Sequence, residues 1–121
     1  MDQLKWNIST GNLDEVKKMI DKGEFDVHSS IKGRLPIHYA ADFGQDAIIE
    51  YLLSKGSEIN RQDSFGITPL LAAVFEGHPS TVRLLLSKGA DHTGKAPDGR
   101  SYVECAESSE IKFTLTKLQD S

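Results

Sequence analysis

The sequence predicts an all-α fold: a solenoid of four helix-turn-helix repeats joined by short β-turn loops. Two observations carry that prediction. Nine of the ten glycines fall into three triplets (Gly11, Gly44, Gly77; Gly23, Gly56, Gly89; Gly33, Gly66, Gly99), each member 33 residues from the next, with only Gly94 outside the pattern. Apolar residues keep the same count: Leu4, Ile37, Leu70 and Val103 align, as do Val16, Ile49, Val82 and Leu115, and Met19, Leu52, Leu85 and Leu118. A fixed period of this length marks stacked supersecondary units that bury their apolar faces only against one another. The chain has 121 residues, 38% hydrophobic and 26% charged, which suits one thin, repetitive domain better than a thick globular core. The repeats run approximately over 1–32, 33–65, 66–98 and 99–121, the first and last acting as caps.

Each element has a local cause. In "TPLLAAVFEG", Thr68 is placed to cap a helix and Pro69 to occupy its first turn, where a missing N–H costs nothing. Gly77 then ends that helix by taking the left-handed conformation, and Gly44 does the same one repeat earlier. "PSTVRLLLSKG" reads as the second helix, with Pro79 at its start, Val82, Leu85 and Leu86 on one face and Gly89 as the stop. "ADHTGKAPDG" carries Asp-Gly turn chemistry and forms the loop to the next unit. Asn7, Ala40, Ala73 and Ala106 share a column in which small side chains let helices approach closely.

The departures sit mainly at the ends. Gln3 stands where Pro36 and Pro69 begin helices, Ser101-Tyr102 replaces Thr-Pro, Glu110 replaces the helix-ending glycine, and Gln119 is polar where Ile20, Leu53 and Leu86 are apolar. End repeats face solvent on one side, which tolerates such changes. Leu35 stands where Thr68 and Ser101 offer a hydroxyl, so the second repeat is expected to have a weaker helix cap. The loop "GEFDVHSSIKG" is shifted by one residue against the third unit, with Phe25 as the extra residue.

Composition excludes several functions. A formal charge of −4 argues against binding a phosphate backbone, which demands clustered Lys and Arg. No apolar run approaches the roughly 20 residues of a membrane span, and the N-terminus lacks a secretory pattern. A cytoplasmic protein small enough to diffuse into the nucleus is expected. Four histidines, at 28, 38, 78 and 92, show no ligand spacing, so neither a metal nor a cofactor is expected. Cys105 reads as an exposed thiol with no base to activate it, and no phosphate-cradling loop is present, so the chain reads as a non-enzyme.

"GRLPIHYAADFG", "GITPLLAAVFEG" and "LLLSKGAD" together resemble the ankyrin repeat, and the resemblance covers nearly the whole chain. It implies that Pro36, Pro69, Gly44 and Gly77 are scaffold, that His38 braces adjacent turns through backbone hydrogen bonds, and that Asn60 either braces a loop or is a hydroxylation acceptor. It also implies a concave face, lined by loops and first helices, that binds a protein. On that face the register places Trp6, Ser9, Arg34, Tyr39, Asp42, Phe43, Phe65, Phe75 and Glu76 as partner contacts. Trp6 and Tyr39 are expected side by side and outward, beside negative charge from Asp42 and Glu76 that suits a basic, partly apolar partner. Over its full length the chain is similar to short four-repeat members of the family that bind the heterodimeric actin capping protein and block its attachment to barbed ends. Those members commonly carry an acidic residue in the loop where this chain has Ile31 and Lys32. A monomeric protein that binds capping protein is the resulting expectation. The alternative is an ankyrin adaptor or inhibitor of another target, such as a cyclin-dependent kinase or a Rel-type transcription factor.

Overall fold

Helix pairs recur along the chain because the cap and stop residues recur. The computed structural model describes residues 2–119, without the side chains of Asp2 and Gln119, so the polar replacement expected at Gln119 lies outside what is described. The helices are α1 (Asp2–Ser9), α2 (Leu13–Asp21), α3 (Pro36–Asp42), α4 (Asp46–Ser54), α5 (Pro69–Glu76), α6 (Pro79–Ser87), α7 (Tyr102–Cys105) and α8 (Ser109–Gln119). The first helices α1, α3, α5 and α7 pack side by side in one layer, and α2, α4, α6 and α8 form a second. The core lies between the layers: Leu4, Ile37, Leu70, Val16, Ile49, Val82 and Leu115 are all buried. Each such side chain removed from water contributes roughly 1.5–3 kcal/mol, so the stack is stabilised repeat by repeat.

Capping chemistry explains where the helices begin. The Thr68 hydroxyl accepts from the Leu71 N–H at 3.2 Å, and Pro69 opens α5. Ser101 caps α7 by accepting from the Glu104 N–H, while the Glu104 carboxylate accepts from the Ser101 N–H at 2.8 Å. Leu35 offers no such oxygen, so α3 lacks the side-chain cap that α5 and α7 have, as the sequence predicts. His38, three residues on, reaches back and its Nδ1 accepts from the Leu35 N–H at 3.0 Å. The proton of His38 therefore sits on Nε2, which donates to the Arg61 carbonyl at 2.7 Å and ties α3 to the following loop. One fully buried imidazole thus braces both the start of α3 and the following turn. Asn60 braces likewise, its Oδ1 accepting from the Asp91 N–H at 2.8 Å.

Successive repeats are also joined along a seam. Gln45 donates from Nε2 to the Ser9 carbonyl at 3.1 Å, and His78, in the same column, bonds through Nε2 to the Asp42 carbonyl at 2.7 Å. Both side chains cross directly over a glycine. A Cβ on Gly44 would lie 2.8 Å from Nδ1 of His78, and one on Gly11 would lie 2.9 Å from Oε1 of Gln45. Gly44 has φ of +66° as well. Gly44→Ala is therefore expected to destabilise by about 1–3 kcal/mol, readable in urea denaturation, with the larger part removed when His78 is also made alanine.

The fourth unit departs from the expected pattern. Its first helix is a single turn, because the chain leaves α7 at Ala106 in extended conformation (φ −77°, ψ 127°). With Glu110 in place of a helix-ending glycine, the left-handed stop that closes α3 and α5 is missing. Ser108 instead caps α8 through the Ile111 N–H at 3.3 Å, and Glu110 falls in the first turn of α8.

The hairpin loops show the one-residue shift. Asp63 pairs with Ile67 and Ala96 with Arg100, whereas Ile31 pairs with Arg34 across a turn one residue shorter. Lys32 takes the left-handed conformation in that turn, with φ of 54°.

Candidate docking surface

Four exposed aromatic side chains mark the face formed by the first helices and the hairpins. Trp6 is 63% exposed, Phe65 61%, Phe43 42% and Phe75 40%. They line two shallow, open depressions. Trp6, Phe43, Lys5, Ser9 and Lys32 surround one of about 310 Å³. Phe65, Phe75, Arg34, Asp42, Ile67, Ala72 and Glu76 surround a neighbouring one of about 220 Å³. The Ser9 hydroxyl donates to the Trp6 carbonyl at 2.9 Å and so completes the turn that carries the tryptophan.

Tyr39 does not stand outward beside Trp6. It is 5% exposed, and its hydroxyl donates to the Ile31 carbonyl at 2.7 Å. The reason lies in the hairpin. The second repeat has a hairpin ahead of its first helix, which folds over Tyr39, whereas no hairpin among the described residues covers the equivalent Trp6. Two cations approach the ring, the Arg34 guanidinium at 5.0 Å and the Lys5 ammonium at 5.2 Å from its centre. Burial raises the pKa of the phenol. Ala72 and Cys105, in the same column, are buried as well, so Cys105 is not the exposed thiol the register suggested, and burial raises its pKa. Tyr39→Phe is expected to cost about 1 kcal/mol by removing one of the two hydrogen bonds that the Ile31 carbonyl accepts, measurable as an equivalent loss in urea stability with little change in partner affinity.

Asp42 also differs from expectation, because its charge is already engaged. Both its oxygens accept from Arg34, Nη1 to Oδ2 and Nη2 to Oδ1, the latter at 3.1 Å. The same guanidinium donates through Nε to Asp63 at 2.8 Å. Asp63 was not singled out in the sequence, yet its side chain is fully buried and accepts from the N–H groups of Phe65 and Ile67 at 2.8 and 3.0 Å. Its signal was an acidic residue three positions ahead of a turn glycine, the pattern in which a carboxylate folds back on its own turn. Burial alone would raise the Asp63 pKa, but the Ile67 N–H, the Arg34 guanidinium and the Phe65 N–H outweigh it and hold the group below its ordinary range. Burial alone would lower that of Arg34, and its bonds to the two carboxylates reverse this. The triad fixes the hairpin on which Phe65 is mounted. Ile31, in the loop where the similar members carry an acidic residue, is buried, while Glu76 is exposed with no ion pair among the described residues.

An open, aromatic-lined face on a stack of helix pairs defines a protein-binding repeat module. The profile for ankyrin repeats in three copies matches residues 4–96. The chain is 54% identical over 114 residues to myotrophin of Xenopus tropicalis, covering 93% of this chain and 96% of that protein. By both measures the chain belongs to the ankyrin-repeat family, in its myotrophin-like branch, a non-enzymatic family of protein-interaction modules. More distant relatives include the 26S proteasome non-ATPase regulatory subunit 10 of Dictyostelium discoideum, 36% identical over 92 residues, and the serine/threonine-protein kinase 12 of Arabidopsis thaliana, 28% identical over 119. The matched regions cover 40% and 26% of those two proteins, so the likeness there is to a repeat segment. No helix among the described residues is long and apolar enough to cross a membrane.

Proposed function

We propose that the chain binds the heterodimeric actin capping protein through its concave face and relieves capping of filament barbed ends. The observation that carries this reading is the similarity to myotrophin over 96% of that protein's length, joined to the capping-protein-binding members that the sequence resembles. The exposed pair Trp6 and Phe43, with Phe65 and Phe75 beside them, supports it physically. Large aromatic side chains that are already exposed in the free protein supply most of the binding energy at such faces without a folding penalty. The reading carries with it a cytoplasmic site of action and a monomeric binder.

Pyrene-actin elongation in the presence of capping protein tests it directly. Restored elongation at excess protein is the expected result. No relief of capping, with a kinase or a Rel-type factor recovered from lysate instead, would move the function to an adaptor of another target.

A further inference from the structure

We propose that the depression at the Trp6 end takes an acidic peptide segment bearing a large apolar side chain. The inference rests on the concave face being the docking surface, though not on capping protein being the partner.

The walls of this depression are Trp6 and Phe43, and its charged groups are Lys5 and Lys32. Neither lysine has an acidic partner among the described residues. Lys5 lies over the Tyr39 ring, whose hydroxyl is already committed to the Ile31 carbonyl. Lys32 is exposed and held at φ of 54° in the short turn between Ile31 and Arg34, a conformation unusual for a residue other than glycine, asparagine or aspartate. That turn is pinned on both sides: Ile31 and Arg34 exchange two backbone hydrogen bonds. The ammonium is thus carried at the edge of the depression by a fixed backbone.

Among the described side chains, the acidic groups nearby do not cancel this charge. Arg34 pairs with both Asp42 and Asp63, so the triad keeps one net negative charge, less than the two positive charges of Lys5 and Lys32. Glu76 borders the second depression, beyond Asp42. The face therefore runs from free positive charge and exposed indole at one end to free negative charge beside Phe75 at the other. Opposite charge across an interface attracts the matching segment and rejects its reverse, which fixes the direction in which the segment lies. Apolar surface with flanking ammonium groups selects carboxylates next to a large apolar residue.

The only tryptophan of the chain sits in the depression, so its emission reports occupancy directly. The test titrates the full chain with three short peptides that share one Leu and one Phe and differ in carrying Glu, Gln or Lys, with an oligothymidylate of similar charge as a further probe. The Glu peptide is expected to shift Trp6 emission and bind at least about tenfold tighter than the Lys peptide, with the difference shrinking between about 50 and about 500 mM salt. Lys32→Glu, which sets one carboxylate against Lys5, should abolish the preference. Lys32→Gly, which suits the turn and removes the side chain with its charge while Lys5 remains, should weaken the preference to roughly threefold with the melting temperature retained. Equal binding of the Glu and Lys peptides, an unchanged preference in both Lys32 variants, or equal binding of the oligonucleotide would overturn the proposal. Capping protein is assayed in parallel. Absence of capping relief with the peptide preference intact removes the partner assignment alone, and the converse removes this inference alone.

Discussion

Asp63→Ala is expected to destabilise the protein by about 3–5 kcal/mol and to lower its melting temperature by roughly 10 °C or more. The buried carboxylate is the sole side-chain acceptor for two hairpin N–H groups and half of the fork that holds Arg34. Asp63→Asn keeps an acceptor for the two N–H groups and loses the charge, so it should fall between wild type and Asp63→Ala. The pH dependence separates this group from His38. Asp63 is held below its ordinary value of 3.8, so its contribution is full above that value and is lost as the pH falls through the lower folded value. Burial, outweighing the bond to the Arg61 carbonyl, lowers the His38 pKa from its ordinary 6.5. Its contribution is therefore full above 6.5 and is lost as the pH falls through its lower folded value. Urea denaturation across a pH series should show two successive losses in wild type, the lower one smaller in Asp63→Ala, where Asp91, Asp98 and Glu104 still contribute, and the upper absent in His38→Gln.

Trp6→Ala should weaken partner binding by roughly 2 kcal/mol or more, about 30-fold, while leaving the melting temperature within about 2 °C of wild type. The indole is 63% exposed, so truncation removes contact area offered to a partner and leaves no cavity in the core. Isothermal titration against capping protein, paired with thermal denaturation, checks both halves. Stability lost in proportion to affinity would mean that the indole seals the end of the stack instead of meeting a partner.

The scaffold was legible in the sequence because its determinants are local. Thr68, Pro69 and Gly77 act within a turn of themselves, and a period of identical spacing repeats the message. The exposed aromatics were legible for a related reason: register alone puts Trp6, Phe43, Phe65 and Phe75 on one face. Tyr39 was not. Its column is shared with Trp6, and only the presence or absence of a covering hairpin separates a buried ring from an exposed one. The charge character of the face was hidden for a similar reason, since Arg34 meets Asp42 and Asp63 across separations of 8 and 29 residues. Aspartate read one residue at a time looks like surface charge, and pairing across a repeat turns it into a fastener. The missing hydroxyl at Leu35 was legible, but the bond from the Leu35 N–H to the imidazole three residues on was not.

The seam along the stack also bears on how it answers tension. Gln45 and His78 each clasp the end of the first helix in the repeat before them, but the next residue in that column is Ile111, buried and without a side-chain donor, so no such bond ties the last unit to the end of α5. The last unit is held to its neighbour by apolar contact, the Thr68–Tyr102 hydroxyl pair at 2.9 Å and an exposed ion pair from Arg83 to Glu110. Pulled from its two termini, the chain should release that unit first, in a step of roughly 70–80 Å for the residues of 99–121 drawn straight. The Trp6 end stays folded through that event, so a load applied along the chain frays it at the end away from its partner before the grip is disturbed.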